Sequence, residues 1–147
     1  MNELQISNGL LLGEVSRMLS EGHKVVITAR GSSMLPFIVG DRDSVELDRK
    51  DGYAAGDIVL ARVEGKRWVL HRLVSIAGDE AVLKGDGNLS GCERCAVGDI
   101  AGAVVRIIRP KGETDCGTAG FARRSSVWRT LPYSARRVIL GIYRRLI

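Results

Sequence analysis

The chain has 147 residues, 45% of them hydrophobic and 27% charged, with a formal net charge of +5. That length holds one domain with a packed core but not two full ones, and the scattered Pro and Gly, without repeats or low-complexity runs, exclude a fibrous chain. Three cysteines are too few for a disulfide-built scaffold, and no run approaches the ~20 apolar residues of a membrane-spanning helix.

In chain order, Ser7 or Asn8 can cap a helix whose apolar positions Leu11, Leu12, Val15, Met18 and Leu19 recur at helical spacing. Glu21-Gly22 is its stop, so residues 1–23 read as an N-terminal helix. Leu10-Leu11-Leu12 is a short apolar patch interrupted by Glu14 and Arg17, not a cleavable signal. The expected location is therefore cytoplasmic, or peripheral at a membrane.

From Lys24 the pattern changes to β-branched runs at 24–29, 44–47, 57–63, 68–76, 81–84 and 100–108. Turn signals separate them, among them Val39-Gly40-Asp41, Asp51-Gly52, Glu64-Gly65-Lys66 and Ala77-Gly78-Asp79. Short strands joined by tight turns, with no helices between them, cannot form parallel crossovers. The expected fold is mainly β, an antiparallel coiled β-sheet or small β-barrel over residues 24–109.

Residues 110–120 are polar and aperiodic and read as a linker. Beyond them, 121–147 reads as a basic amphipathic C-terminal helix that starts at Ser125 or Ser126, with Pro132 a kink or restart and Ser134 a second cap. Nothing after Asp115 is acidic, whereas seven arginines follow it, so residues 1–115 carry −2. At the helical period Arg129, Arg136, Arg137, Arg144 and Arg145 share one half of the circumference, and Val138, Ile139, Ile142 and Leu146 the other. Such a helix either packs on the body with its arginines in water or lies on an anionic membrane surface. Nucleic acid is the least favoured partner, because Trp128 and Tyr133 are too few for a stacking platform.

Cys92-Glu93-Arg94-Cys95 has the spacing of half a zinc site or a redox pair, but no second pair accompanies it and only His23 and His71 could add imidazole. An ordinary loop pair is expected, with a labile disulfide as the other option, and with no metal and no cofactor.

Three residues carry candidate chemistry. A serine hydroxyl is a poor nucleophile until a base takes its proton and nearby dipoles stabilise the oxyanion. In Gly31-Ser32-Ser33-Met34-Leu35-Pro36, Gly31 permits close backbone approach and Pro36 fixes the following turn, so the amides around Ser33 can face a carbonyl. His71 lies in an apolar strand, where it is either a satisfied core residue or a general base near neutral pH. Asp86, in Lys84-Gly85-Asp86-Gly87-Asn88, either bonds its own turn or accepts the second ring N–H of His71.

These segments in this order, with Gly40-Asp41, Gly56-Asp57-Ile58-Val59 and Val97-Gly98-Asp99-Ile100-Ala101-Gly102-Ala103-Val104-Val105, resemble the signal peptidase I family and the related self-cleaving SOS repressors. The resemblance spans roughly residues 25–108. It implies Ser33 as nucleophile, with Met34 and Pro36 beside the substrate. Bacterial members and the repressors place a lysine before arginine at the base position, whereas the endoplasmic-reticulum and archaeal type has histidine. His71-Arg72 is similar to that histidine branch, and Asp86 matches the aspartate of its glycine turn. The branch has a further acid about six residues on, where this chain has Cys92 followed by Glu93.

Many members also carry a serine two residues before the nucleophile, where this chain has Gly31, as in mitochondrial inner-membrane peptidases. The Ser33 N–H and the Ser32 hydroxyl remain as oxyanion donors. The N-terminal membrane span usual in the family has no counterpart here.

The resemblance implies a serine endopeptidase that removes a leader or signal peptide from a peptide or precursor-protein substrate. The alternative is a catalytically weak or inactive module of the same fold that binds peptides or a membrane surface. A repressor fragment is disfavoured, because the region before Lys24 is too short for a helix-turn-helix domain and the base is not lysine.

Overall fold

A computed structural model describes residues 8–146. Helix α1 covers Asn8–Ser20; Ser7, one of its two candidate caps, lies outside the described residues. Its end is fixed by Gly22 at φ 92°, where the Gly22 and His23 amides donate to the Leu19 and Met18 carbonyls at 3.0 and 3.1 Å. This left-handed stop satisfies carbonyls that the last turn would otherwise leave open. Val15 and Leu19 are buried on the face that meets the sheet.

Among the described residues eight strands follow: β1 (Val25–Thr28), β2 (Ser44–Asp48), β3 (Ile58–Val63), β4 (Arg67–Ala77), β5 (Glu80–Lys84), β6 (Glu93–Ala96), β7 (Ile100–Arg109) and β8 (Gly112–Asp115). They form one antiparallel sheet in the order β1-β2-β7-β3-β4-β5-β6, with β8 added to β7. Register shifts at Glu46/Leu47, Leu60/Ala61 and Leu73/Ser75 mark irregularities in its ladders. Such irregularities bend a sheet and increase its twist. Among the described residues the sheet curls into a half-barrel but stays open, ending on β1 and β6, so of the two expected forms the coiled antiparallel sheet is present and the closed barrel is not.

Strand β3 is apolar on both faces because both are covered. Ile58 and Leu60 join a core with α1, β1, β2 and Phe121, while Val59, Ala61 and Val63 join another with Leu73, Leu83 and Cys95. Burial on both faces explains why its sequence runs apolar without alternation.

The structure corrects two expectations beyond Arg109. The supposed linker at 110–120 contains β8, paired with β7 from Arg106↔Asp115 to Arg109↔Gly112. The C-terminal segment is two helices, α2 (Ala119–Thr130) and α3 (Tyr133–Leu146), so of the two options at Pro132 the restart is present and the kink is not. Thr118, not Ser125 or Ser126, caps α2, its hydroxyl accepting from the Phe121 N–H at 3.2 Å. Leu131 sits extended before Pro132 and ends α2, as the residue preceding a proline avoids helical geometry.

Both helices pack on the body. Trp128 of α2 and Leu140 of α3 form a third buried cluster with Leu35 and Val39, which follow the Gly-Ser-Ser turn. No described helix is long and apolar enough to cross a membrane.

Leu140 is fully buried and Ile142 is 53% exposed. Leu140→Ala should therefore lower unfolding stability in urea by about 2–5 kcal/mol, while Ile142→Ala should stay within about 0.5 kcal/mol of the parent.

Candidate active site

The site is assembled from a turn, two strands and a loop that lock together. Gly85 and Gly87 are present because the turn carrying Ser33 lies against them. A Cβ at Gly85 would sit 2.4 Å from the Ser33 carbonyl oxygen, and one at Gly87 would sit 2.4 Å from that of Ser32. The Gly87 N–H donates to the Ser33 carbonyl at 2.7 Å, and the Asp86 N–H reaches Met34 Sδ at 3.5 Å. The loop thus fixes the backbone of the residue that carries the candidate nucleophile.

Ser33 and His71 line one pocket of about 260 Å³ with Gly31, Met34, Ile27, Ile38 and Leu60. Met34 is itself buried, whereas Ser32 is exposed. Neither Ser32 nor Pro36 is among the residues lining this pocket. Pro36 is half-buried in the turn that follows the serine. Ser33 and His71 face the same space without a hydrogen bond joining them.

Strand alternation decides the partners of His71 and Arg72. Neighbours on β4 point to opposite faces of the sheet. His71 lies on the face of Val69 and Leu73, and the pairings Leu73↔Leu83 and Leu83↔Glu93 carry that face across β5 to β6. Residues directly paired across strands share a face. Glu93 Oε1 accordingly contacts His71 Nδ1, in an approach that lacks the alignment of a formed hydrogen bond. The other Glu93 oxygen pairs with Arg67 at 2.6 Å.

Arg72 faces the other way and takes Asp86. Its Nε and Nη2 lie 3.2 and 2.5 Å from the two carboxylate oxygens, and both side chains are almost fully buried. Nη1 donates to the Gly56 carbonyl at 2.9 Å and to Ser125 Oγ at 3.0 Å. Phe37 and Phe121, packed edge-to-face on each other, lie 5.1 and 5.8 Å from the guanidinium carbon to their ring centroids. Trp128 Nε1 donates to the Asp86 carbonyl at 3.0 Å.

The expectation that Asp86 orients His71 is therefore corrected. Asp86 serves Arg72, and the carboxylate beside His71 is Glu93. Sequence reasoning missed this pairing although one signal was available: adjacent strand residues cannot both address one loop carboxylate from the same face.

Electrostatics follow the same division. Burial holds the His71 imidazole below its ordinary pKa, with the Glu93 carboxylate pulling upward against it. A neutral imidazole is the form that can accept a proton. Burial pushes the Asp86 carboxyl up, opposed first by its bonds to Arg72. Cys92 is exposed and Cys95 buried, both as free thiols. Among the described residues no three His, Cys, Asp or Glu side chains converge.

No family model matches the sequence.

Two substitutions separate the carboxylates. Glu93→Gln removes the charge that favours imidazolium, so the NMR-titrated pKa of His71 should fall further below the ordinary histidine value. Asp86→Asn should lower that titration less than Glu93→Gln does, because the Asp86 charge acts on the ring more weakly, but cost about 3–5 kcal/mol in urea unfolding, because it strands the buried Arg72 charge.

Proposed function

We propose that this chain is a serine endopeptidase of the signal-peptidase-like type, acting on a peptide or precursor-protein substrate. The observation that carries the reading is the shared apolar pocket of Ser33 and His71, with a carboxylate at the imidazole nitrogen Nδ1. Ser33 Oγ attacks the scissile carbonyl while His71 Nε2 takes its proton. His71 then gives that proton to the leaving amine, and an acyl ester remains on Ser33. Water, deprotonated by the same imidazole, hydrolyses the ester and restores the serine.

Glu93, beside Nδ1, would select the Nδ1–H tautomer once that contact aligns and would stabilise the transient imidazolium, the part first given to Asp86. The Ser33 N–H is the backbone donor for the oxyanion; Gly31 provides no hydroxyl there. Asp86 acts through Arg72 and its own loop, positioning the turn without touching substrate.

An extended peptide suits the site. Ile27, Thr28 and Ala29 line the pocket, and among the described residues β1 has a strand partner on only one side, β2. An edge of this kind can accept a substrate strand through main-chain hydrogen bonds, with alternate side chains entering the apolar pocket. Small residues at the cleavage point are inferred from the family resemblance alone.

The missing Ser33–His71 hydrogen bond favours a second reading, a module that binds peptides in the same pocket without cutting them. Catalytic hydrogen bonds in ligand-free sites are often long, so the peptidase reading keeps precedence.

The discriminating assay incubates leader-bearing peptides with the parent, Ser33→Ala and His71→Ala, with products read by mass spectrometry. The parent should cleave, and each variant should lose about 10³-fold or more in kcat. Equal cleavage by all three removes the mechanism. Binding without cleavage by the parent selects the module.

In an active parent, the low His71 pKa sets the acid limb of the rate profile. Activity should persist below the ordinary histidine range and fall only as the imidazole protonates. In Glu93→Gln that limb should move to lower pH, since less negative charge stabilises the protonated ring.

A further inference from the structure

Helix α3 docks on the body through Leu140, buried with Leu35, Val39 and Trp128, and through the half-buried Ile139. That orientation leaves other apolar side chains uncovered. Val138, Ile142 and Leu146 are 63%, 53% and 79% exposed. Their i, i+4, i+8 spacing sets them in one row along the helix. Arg137 and Arg145, one residue before the first and last of these, form a parallel basic row with Gly141 between them. Both are exposed, and neither forms an ion pair among the described residues.

We propose that this face of α3 docks on an anionic lipid surface. The apolar row would enter the acyl boundary while the arginines meet headgroup phosphates, the arrangement of a helix lying in the plane of an interface. Charge selects this occupant. No acidic residue follows Asp115, so α2 and α3 present positive charge without compensation. A second copy would set arginine against arginine over three side chains, far below the ~1,000 Å² of a stable protein interface. Nucleic acid would use the arginines but has no place for a row of aliphatic side chains.

Docking would also hold the candidate active site near the surface. Arg144, on the next turn of α3, donates from Nη2 to the Gly87 carbonyl at 3.0 Å, in the loop that fixes Ser33.

The test is flotation of the full chain with vesicles of pure phosphatidylcholine or of phosphatidylcholine mixed with phosphatidylglycerol. The protein should float with the anionic vesicles only, and added salt should weaken the association. Val138→Ser with Ile142→Ser should reduce vesicle partitioning by about tenfold or more, and Arg137→Gln with Arg145→Gln by a similar factor. Circular dichroism should show both double variants folded, since these side chains are exposed. Ser33→Ala should float like the parent, because association does not require a live active site. Failure to float with anionic vesicles overturns the proposal. So does a Val138/Ile142 double variant that floats like the parent, or a dimer in solution that this variant abolishes.

Discussion

The buried pair of Arg72 and Asp86 is the constraint on which the rest of the arrangement depends. A guanidinium only 1% exposed is tolerable because its donors are matched: two address the Asp86 carboxylate, and Nη1 addresses the Gly56 carbonyl and Ser125 Oγ. Two aromatic rings that pack edge-to-face against each other lie on one side of it, each contact adding about 0.5–2 kcal/mol. These bonds tie β4 to the segment before β3, to the loop after β5 and to helix α2. Such a pair adds little net stability over a well-packed apolar replacement. Its value here is position: it holds the Asp86 loop where Gly85 and Gly87 lie against the Ser33 turn.

The C-terminal helices belong to that same assembly. Trp128 bonds the Asp86 carbonyl and Arg144 bonds the Gly87 carbonyl, so both helices reach the loop by side-chain donors. The helical segment is therefore a clamp over the back of the candidate site as well as a basic surface. Its packing also changes which residues face outward. Ile139, grouped with the exposed apolar face by helical period, turns toward the body beside Leu140.

Much of the fold was legible because burial leaves a pattern. The apolar run of β3 and the β-branched stretches of β1, β4 and β7 follow from faces that must leave water. Strand β6 was not legible: Glu93-Arg94-Cys95-Ala96 has one buried residue and two charges, and its strand state comes from pairing with β5. Strand β8, Gly112-Glu113-Thr114-Asp115, has no apolar side chain and exists through its register on β7. Helix α2 forms behind its Thr118 cap although its apolar face is little more than Phe121 and Trp128, a spacing too sparse to announce it. Ser33 and His71, singled out from their local sequence, line one pocket. Glu93 was assigned no certain role, because its proximity to His71 depends on two successive strand registers, neither of which is local.

The proposed function divides the labour: Ser33, His71 and Glu93 would provide the chemistry, while Arg72 and Asp86 provide the frame. The most direct measurement is a crystal structure of the protein after reaction with a serine-directed phosphonate. A serine peptidase of the proposed kind should show phosphorus bonded to Ser33 Oγ, His71 Nε2 within hydrogen-bonding distance of the adduct, Glu93 at Nδ1, and the Arg72–Asp86 pair unbroken. An unmodified Ser33, or an adduct with Asp86 turned from Arg72 onto His71, would contradict the proposal.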